Sequence, residues 1–143
     1  RRPEPMADRI AFELVSPERL VLSQDVEMVV IPGTEGNFGV LPGHSPFAST
    51  VRADVIEIYE GNAVKQRIFV SGGFAEVTPE RVTVLADQAM PLESLDRGAI
   101  EARIRELDED LRDATSDDEK AGFASALAVE QAKLAVLNKP TAH

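Results

Sequence analysis

Apolar and polar residues alternate along much of the chain as far as Asp87. Ile10, Phe12 and Leu14 share one side of an extended segment, and Ser16, Pro17, Glu18 and Arg19 form a turn cluster behind it. The alternation returns at residues 20–22, 26–31, 47–51, 54–59, 64–70, 74–78 and 82–87. Between two of these segments, Gly61 and Asn62 mark the turn of a hairpin. Ser71, Gly72 and Gly73 interrupt an extended run, which marks a bulge or a bend. Roughly eight to ten short strands at this spacing predict a β-sandwich of two antiparallel sheets, or a flattened barrel, with the inner faces as core.

At Pro91 the period changes. Ile100, Ile104, Leu107, Leu111 and Ala114 recur at helical spacing, and Glu101, Arg105, Asp108 and Arg112 lie on another side where they can pair. Ser94 or Asp96 can cap the start. Ser116 and Glu119 form a capping box, so a second helix starts there and runs to about Asn138, with Pro140 closing it. Phe123, Leu127, Leu134 and Leu137 give this helix its apolar side, and an alanine row at 121, 124, 128, 132 and 135 reads as a surface for close helix approach. The short connection forces an antiparallel hairpin, which buries little alone and is expected to rest on the sandwich or on another protein. The predicted organisation is therefore a non-native or disordered leader at residues 1–5, a sandwich at 6–90 and a helical hairpin at 91–143.

One stretch breaks the alternation. Residues 31–46 hold four glycines and three prolines among few apolar residues, which excludes helix and predicts a rigid, exposed double turn. Thr34, Glu35, Asn37, His44 and Ser45 are its polar residues, around Phe38, Gly39, Val40 and Leu41, which are expected to plug back into the sheet. A loop this constrained presents a surface to a partner. The glycine spacing fits no phosphate-binding loop, and no helix signal follows it. His44 beside Ser45 lacks an acidic group to orient it, so hydrogen bonding within the turn, or to a partner, is preferred over catalysis. The run Asp108, Glu109, Asp110 does not make a carboxylate pair either, because consecutive helical residues diverge by about 100°.

Charge and composition narrow the function further. The net charge is −10, and residues 93–120 hold eleven acidic and five basic side chains, which reads as solvated helix surface. That balance opposes binding to nucleic acid or to an anionic membrane surface. There is no cysteine, and the two histidines, His44 and His143, are far apart, so no metal site is expected. No apolar run approaches the ~20 residues that cross a bilayer, so direct membrane insertion is not expected.

Pro32 to Pro46 (P-G-T-E-G-N-F-G-V-L-P-G-H-S-P), Ser71 to Val77 (S-G-G-F-A-E-V) and Val82 to Asp87 (V-T-V-L-A-D) make the chain resemble the epsilon subunit family of the bacterial F-type ATP synthase. The resemblance runs from Met6 onward, and is most specific across the sandwich. It implies a non-catalytic rotor part whose sandwich grips the gamma subunit and sits on the c-ring, passing rotation to the catalytic head at the cytoplasmic face of the bacterial inner membrane. It also implies that Thr34, Glu35, Asn37, His44 and Ser45 face the c-ring, with Glu35, Asn37 and His44 as polar contacts. In some members the helix pair binds ATP through a motif of the form [IL]-D-x-x-R-A and can extend towards the alpha and beta subunits. Here Leu95 and Asp96 match, Ala99 stands where the arginine belongs, and Arg97 is a substitute two positions earlier. Alanine offers no charged fork to a phosphate, so weak or absent ATP binding and no cofactor are expected. Lys133 and Lys139 are the basic residues towards the end of the second helix, so inhibition of hydrolysis is expected to be small.

The competing reading is a stand-alone β-sandwich ligand-binding module with a helical dimerisation arm. A sugar-binding version would display aromatic side chains for stacking, whereas this sequence has no Trp and a single Tyr, Tyr59.

Overall fold

The structure is a computed structural model and describes residues 9–139. Ten strands come first: β1 (Ile10–Ser16), β2 (Arg19–Val26), β3 (Met28–Gly33), β4 (Gly36–Val40), β5 (Phe47–Thr50), β6 (Asp54–Glu60), β7 (Ala63–Ser71), β8 (Phe74–Val77), β9 (Arg81–Leu85) and β10 (Gln88–Pro91). A short 3-10 turn, Leu92–Ser94, leads to helices α1 (Arg97–Asp113) and α2 (Asp117–Asn138). The described residues divide into two compact units between Glu93 and Ser94. The leader at residues 1–5 and the closing Pro140 lie outside the described residues.

In the first unit the strands form two five-stranded sheets, ordered β2-β1-β9-β8-β5 and β10-β7-β6-β3-β4. Alternation in the sequence becomes alternation in burial. Phe12 and Leu14 of β1, Val29 and Ile31 of β3, and Ile56 and Ile58 of β6 are fully buried between the sheets. Each such side chain contributes about 1.5–3 kcal/mol through the water it leaves. One pairing departs from the antiparallel expectation: β1 runs parallel to β9, from Ala11 opposite Arg81 to Val15 opposite Leu85. Inward and outward residues alternate identically in both kinds of pair, so the residue pattern carries no information on direction.

The backbone changes sheet between β7 and β8 through Ser71, Gly72 and Gly73, and again between β9 and β10 through Asp87. The two corners are bonded to one another, since Asp87 N–H donates to the Ser71 carbonyl at 3.1 Å. Gly73 has φ +116°, and a Cβ there would stand 1.9 Å from the Leu85 carbonyl oxygen, so backbone meets backbone where no side chain fits. Arg9 adds a tie at the surface. It reaches from the start of β1 to both Glu60 carboxylate oxygens at 2.9 and 3.0 Å, in the other sheet.

In the second unit, Asp96 caps α1 by accepting from Ala99 N–H at 3.3 Å. Ser116 caps α2 by accepting from Glu119 N–H at 3.1 Å, and the Glu119 carboxylate accepts from Thr115 N–H, also at 3.1 Å. Ile100 and Leu107 of α1 and Leu127 of α2 are buried, while Phe123, Leu134 and Leu137 are half-buried. The alanine row does not carry the contact expected of it. Ala121, Ala124, Ala128 and Ala135 are exposed, because the larger residues on the opposite side bury more apolar surface against α1.

Two measurements test this fold. Gly73→Ala should cost several kcal/mol in denaturant unfolding, above the ~1–3 kcal/mol of an unusual backbone conformation alone, whereas Gly61→Ala, with open space around it, should not exceed that range. Glu119 is held below the usual carboxylate range by the backbone N–H of Thr115 first, and then by that of Ser116. A depressed pKa gives stability that is present above the ordinary carboxylate value and is lost as pH falls through the folded one. Helical circular dichroism should therefore weaken with acidification through that window in the wild type, and the Glu119→Gln variant should lack this component.

Candidate functional site

The glycine and proline stretch folds as two turns with a strand between them. β3 ends at Gly33, and Thr34 and Glu35 make the first turn. β4 then runs back beside β3, pairing Val29 with Val40 and Ile31 with Phe38. Leu41 to Pro46 make the second turn into β5. The first and second turns are thus separated by the length of β4, about 13 Å along the strand at ~3.3 Å per residue. Thr34, Glu35 and Asn37 gather at one corner of the sandwich, while His44 and Ser45 lie at the other.

The first corner is braced by Arg52. Its backbone N–H donates to the Pro32 carbonyl at 2.9 Å, and Nη1 donates to the Gly33 carbonyl at 2.6 Å. Nη2 reaches Asn37 Oδ1 at 2.6 Å and Asp54 Oδ2 at 3.0 Å. Guanidinium bonds to carbonyl and carboxylate oxygens are among the stronger polar contacts a protein makes. Thr34 adds two more, from its N–H to the Thr50 carbonyl at 3.0 Å and between the two threonine hydroxyls at 2.6 Å. Gly33 faces Val51 across an isolated bridge, and a Cβ there would come within 2.9 Å of Gly36 O and 3.0 Å of Phe38. The turn is thereby fixed against β5 and β6, and Glu35 is left exposed at its tip.

At the second corner, Gly43 N–H donates to the Pro79 carbonyl at 2.9 Å and His44 N–H to the Leu41 carbonyl at 3.1 Å. His44 Nδ1 lies 2.7 Å from the Ser45 carbonyl oxygen. A carbonyl only accepts, so Nδ1 carries the proton. The imidazole therefore serves the turn, as the sequence suggested, and its Nδ1 is not available to take a proton from the Ser45 hydroxyl.

Leu41 was expected to turn inward and does not. Val40 takes the inward place as the last residue of β4, alternation brings Leu41 out, and it stands 55% exposed. Phe47 is 46% exposed, and its ring meets that of Phe38 edge to face, with centroids 5.1 Å apart at 75°. This pair closes the mouth between edge strands β4 and β5. The rim between the two corners is thus apolar, with Phe38, Leu41 and Phe47 along it. Sequence reasoning also missed Arg52, whose contacts at Gly33 and Asn37 lie 19 and 15 residues away.

Leu95, Asp96 and Arg97 sit at the entry to α1. Leu95 is half-buried. Asp96 is the helix cap, and Arg97 donates from Nη1 to Asn138 Oδ1 at 2.6 Å and from Nη2 to the Leu137 carbonyl at 3.4 Å. Both polar side chains already serve the hairpin. Among the described residues no group of three or more His, Cys, Asp or Glu side chains is placed to hold a metal ion.

Two family models between them match nearly all of the described residues. Residues 9–92 match the beta-sandwich domain of the ATP synthase Delta/Epsilon chain, and residues 96–143 match the C-terminal domain of the ATP synthase epsilon chain. The ATP synthase epsilon chain of Rhodospirillum rubrum is 56% identical over 130 residues, covering 91% of this chain and 97% of its own length. That of Rhodospirillum centenum is 54% identical over 134 residues, covering 90% and 92%. A polypeptide in the cryo-EM structure of the Euglena gracilis mitochondrial ATP synthase superposes with a TM-score of 0.75 at 25% identity, covering 92% of this chain and 82% of that one. One from the Tetrahymena thermophila mitochondrial ATP synthase central stalk and c-ring shares the fold, with a TM-score of 0.55 at 12% identity over 89% of this protein and 96% of its own length. On the sequence matches over both of its units, the chain belongs to the ATP synthase epsilon chain family.

Proposed function

We propose that the protein is a rotor subunit of an F-type ATP synthase, carrying rotation of the c-ring through the gamma subunit to the catalytic head without catalysing any step itself. The observation that carries this reading is the bracing of the exposed rim. Arg52, Thr34 and Thr50 bind the first turn to the strands behind it, and Gly43 binds the second to Pro79. A part that transmits torque needs a contact surface that does not yield, and here internal bonds take up the polar groups that hold the turns in place. The structure from Euglena gracilis is of an assembly that includes the c-ring, which supports placing this rim against it.

Glu35 and Ser45 remain as polar contacts on the rim, with Leu41, Phe38 and Phe47 as its apolar part. Thr34, Asn37 and His44 act mainly as internal struts. In this reading the protein meets the membrane sector through partner subunits, at the cytoplasmic face of the bacterial inner membrane; no helix among the described residues is long and apolar enough to cross a membrane. The bacterial relatives support that location.

Nucleotide binding is weak or absent in this reading. Ala99 stands in the place of the motif arginine, Asp96 is committed to the cap and Arg97 to the end of α2. The helix pair then regulates hydrolysis weakly at most through the alpha and beta subunits.

Leu41→Asp should weaken binding of the purified protein to synthase vesicles stripped of it by about tenfold, the equivalent of losing one buried leucine. Sedimentation at graded protein concentration measures this, and unchanged affinity would remove Leu41 from the interface. Calorimetric titration of the isolated protein with Mg-ATP should show no tight binding; a stoichiometric, saturating isotherm would refute the degenerate motif.

A further inference from the structure

One charge at the open end of the helical hairpin runs against the usual helix-dipole rule. Asp117, Asp118 and Glu119 occupy the first turn of α2, and Arg112 the last turn of α1. At the connected end the three carboxylates complement the positive end of α2, while Arg112 shares the last turn of α1 with Asp110 and Asp113. At the open end the complementary charges stand at the caps, Asp96 before α1 and Lys139 after α2. Arg97, the first residue of α1, has the wrong sign for the positive end of its own helix.

The geometry resolves this. Leu137 supplies one of the last carbonyls that a helix leaves without an internal partner. The Val136 carbonyl is taken by Lys139 N–H, and the Leu137 carbonyl and the Asn138 side chain are taken by Arg97, which comes from the other helix 40 and 41 residues away. α1 thus brings the end of α2 a cation in addition to its own Lys139, and only while the two helices lie side by side. Full apolar burial in the pair is confined to Ile100, Leu107 and Leu127. With so thin a core, the polar contact at the open end has a large share in keeping the helices together.

We propose that Arg97 is the clasp of the hairpin, a residue that sets whether the start of α1 and the end of α2 stay together while leaving each helix intrinsically stable. Replacing it with alanine removes an unfavourable charge from the start of α1 and introduces a better helix former. Any loosening that follows must arise between the helices and not within α1. This inference does not depend on the rotor assignment.

The protein has no cysteine, so two can be introduced at exposed sites for spin labels, Glu101→Cys on α1 and Gln131→Cys on α2. Pair distances are then measured in the full-length protein with Arg97, with Arg97→Ala and with Arg97→Lys. The clasp predicts one narrow distance distribution with Arg97 and a broadened, longer one with Arg97→Ala at unchanged helical circular dichroism. It also predicts about three- to tenfold faster amide exchange in the last turns of α2 for Arg97→Ala, the loss of an exposed charge-assisted contact. Arg97→Lys, which keeps the charge but loses the fork, should fall between. An unchanged distance distribution with Arg97→Ala overturns the proposal. So does loss of helical signal in that variant, which would make Arg97 a determinant of helix formation and not of the contact between helices.

Discussion

The sandwich depends on one close backbone approach, where two of the passages from one sheet to the other meet. Gly73 lies against the carbonyl of Leu85 with no room for a side chain, Val51 N–H donates to the Gly73 carbonyl at 3.0 Å, and Asp87 N–H donates to that of Ser71 at 3.1 Å. These contacts bind two of the crossings between the sheets, β7 to β8 and β9 to β10, to each other and to the segment that follows β5. The rim takes its position from that junction, since Val51 also bridges Gly33, and Arg52, the next residue, holds the first turn.

Much of this fold was legible in the sequence, because burial on one side of a strand leaves a period of two and burial on one side of a helix leaves one near 3.6. Phe12, Leu14, Ile56 and Ile58 occupy the places that alternation gave them, and Ser116 caps the helix its motif announced. What was hidden depended on partners distant along the backbone. The parallel pairing of β1 with β9 joins residues far apart in sequence, from Ala11 opposite Arg81, and leaves the alternation unchanged. β10, from Gln88 to Pro91, has no fully buried residue, so it leaves no alternation to read.

The candidate site divides in the same way. Glycine and proline announced the turns, since these residues restrict the backbone locally. The jobs of the side chains were not announced. Thr34 and Asn37 look like free polar groups in the sequence, and each is bonded within the fold, whereas His44 makes the bond within its turn that was one of its two expected roles. Leu41 looks like core and is exposed. Arg97 looks like a stand-in for a phosphate ligand, and it holds the end of α2. A residue type limits which bonds are possible, but the fold decides which are made.

Taken together, the braced rim, the packed core and polar side chains committed to internal bonds describe a stiff part that works by contact. The most direct test is ATP-driven proton pumping by synthase vesicles stripped of this subunit, measured before and after the purified protein is added back. A mechanical coupler predicts poor pumping without it, although ATP is still hydrolysed, and recovery in proportion to the amount bound. Pumping that is equally efficient with and without it would contradict the account.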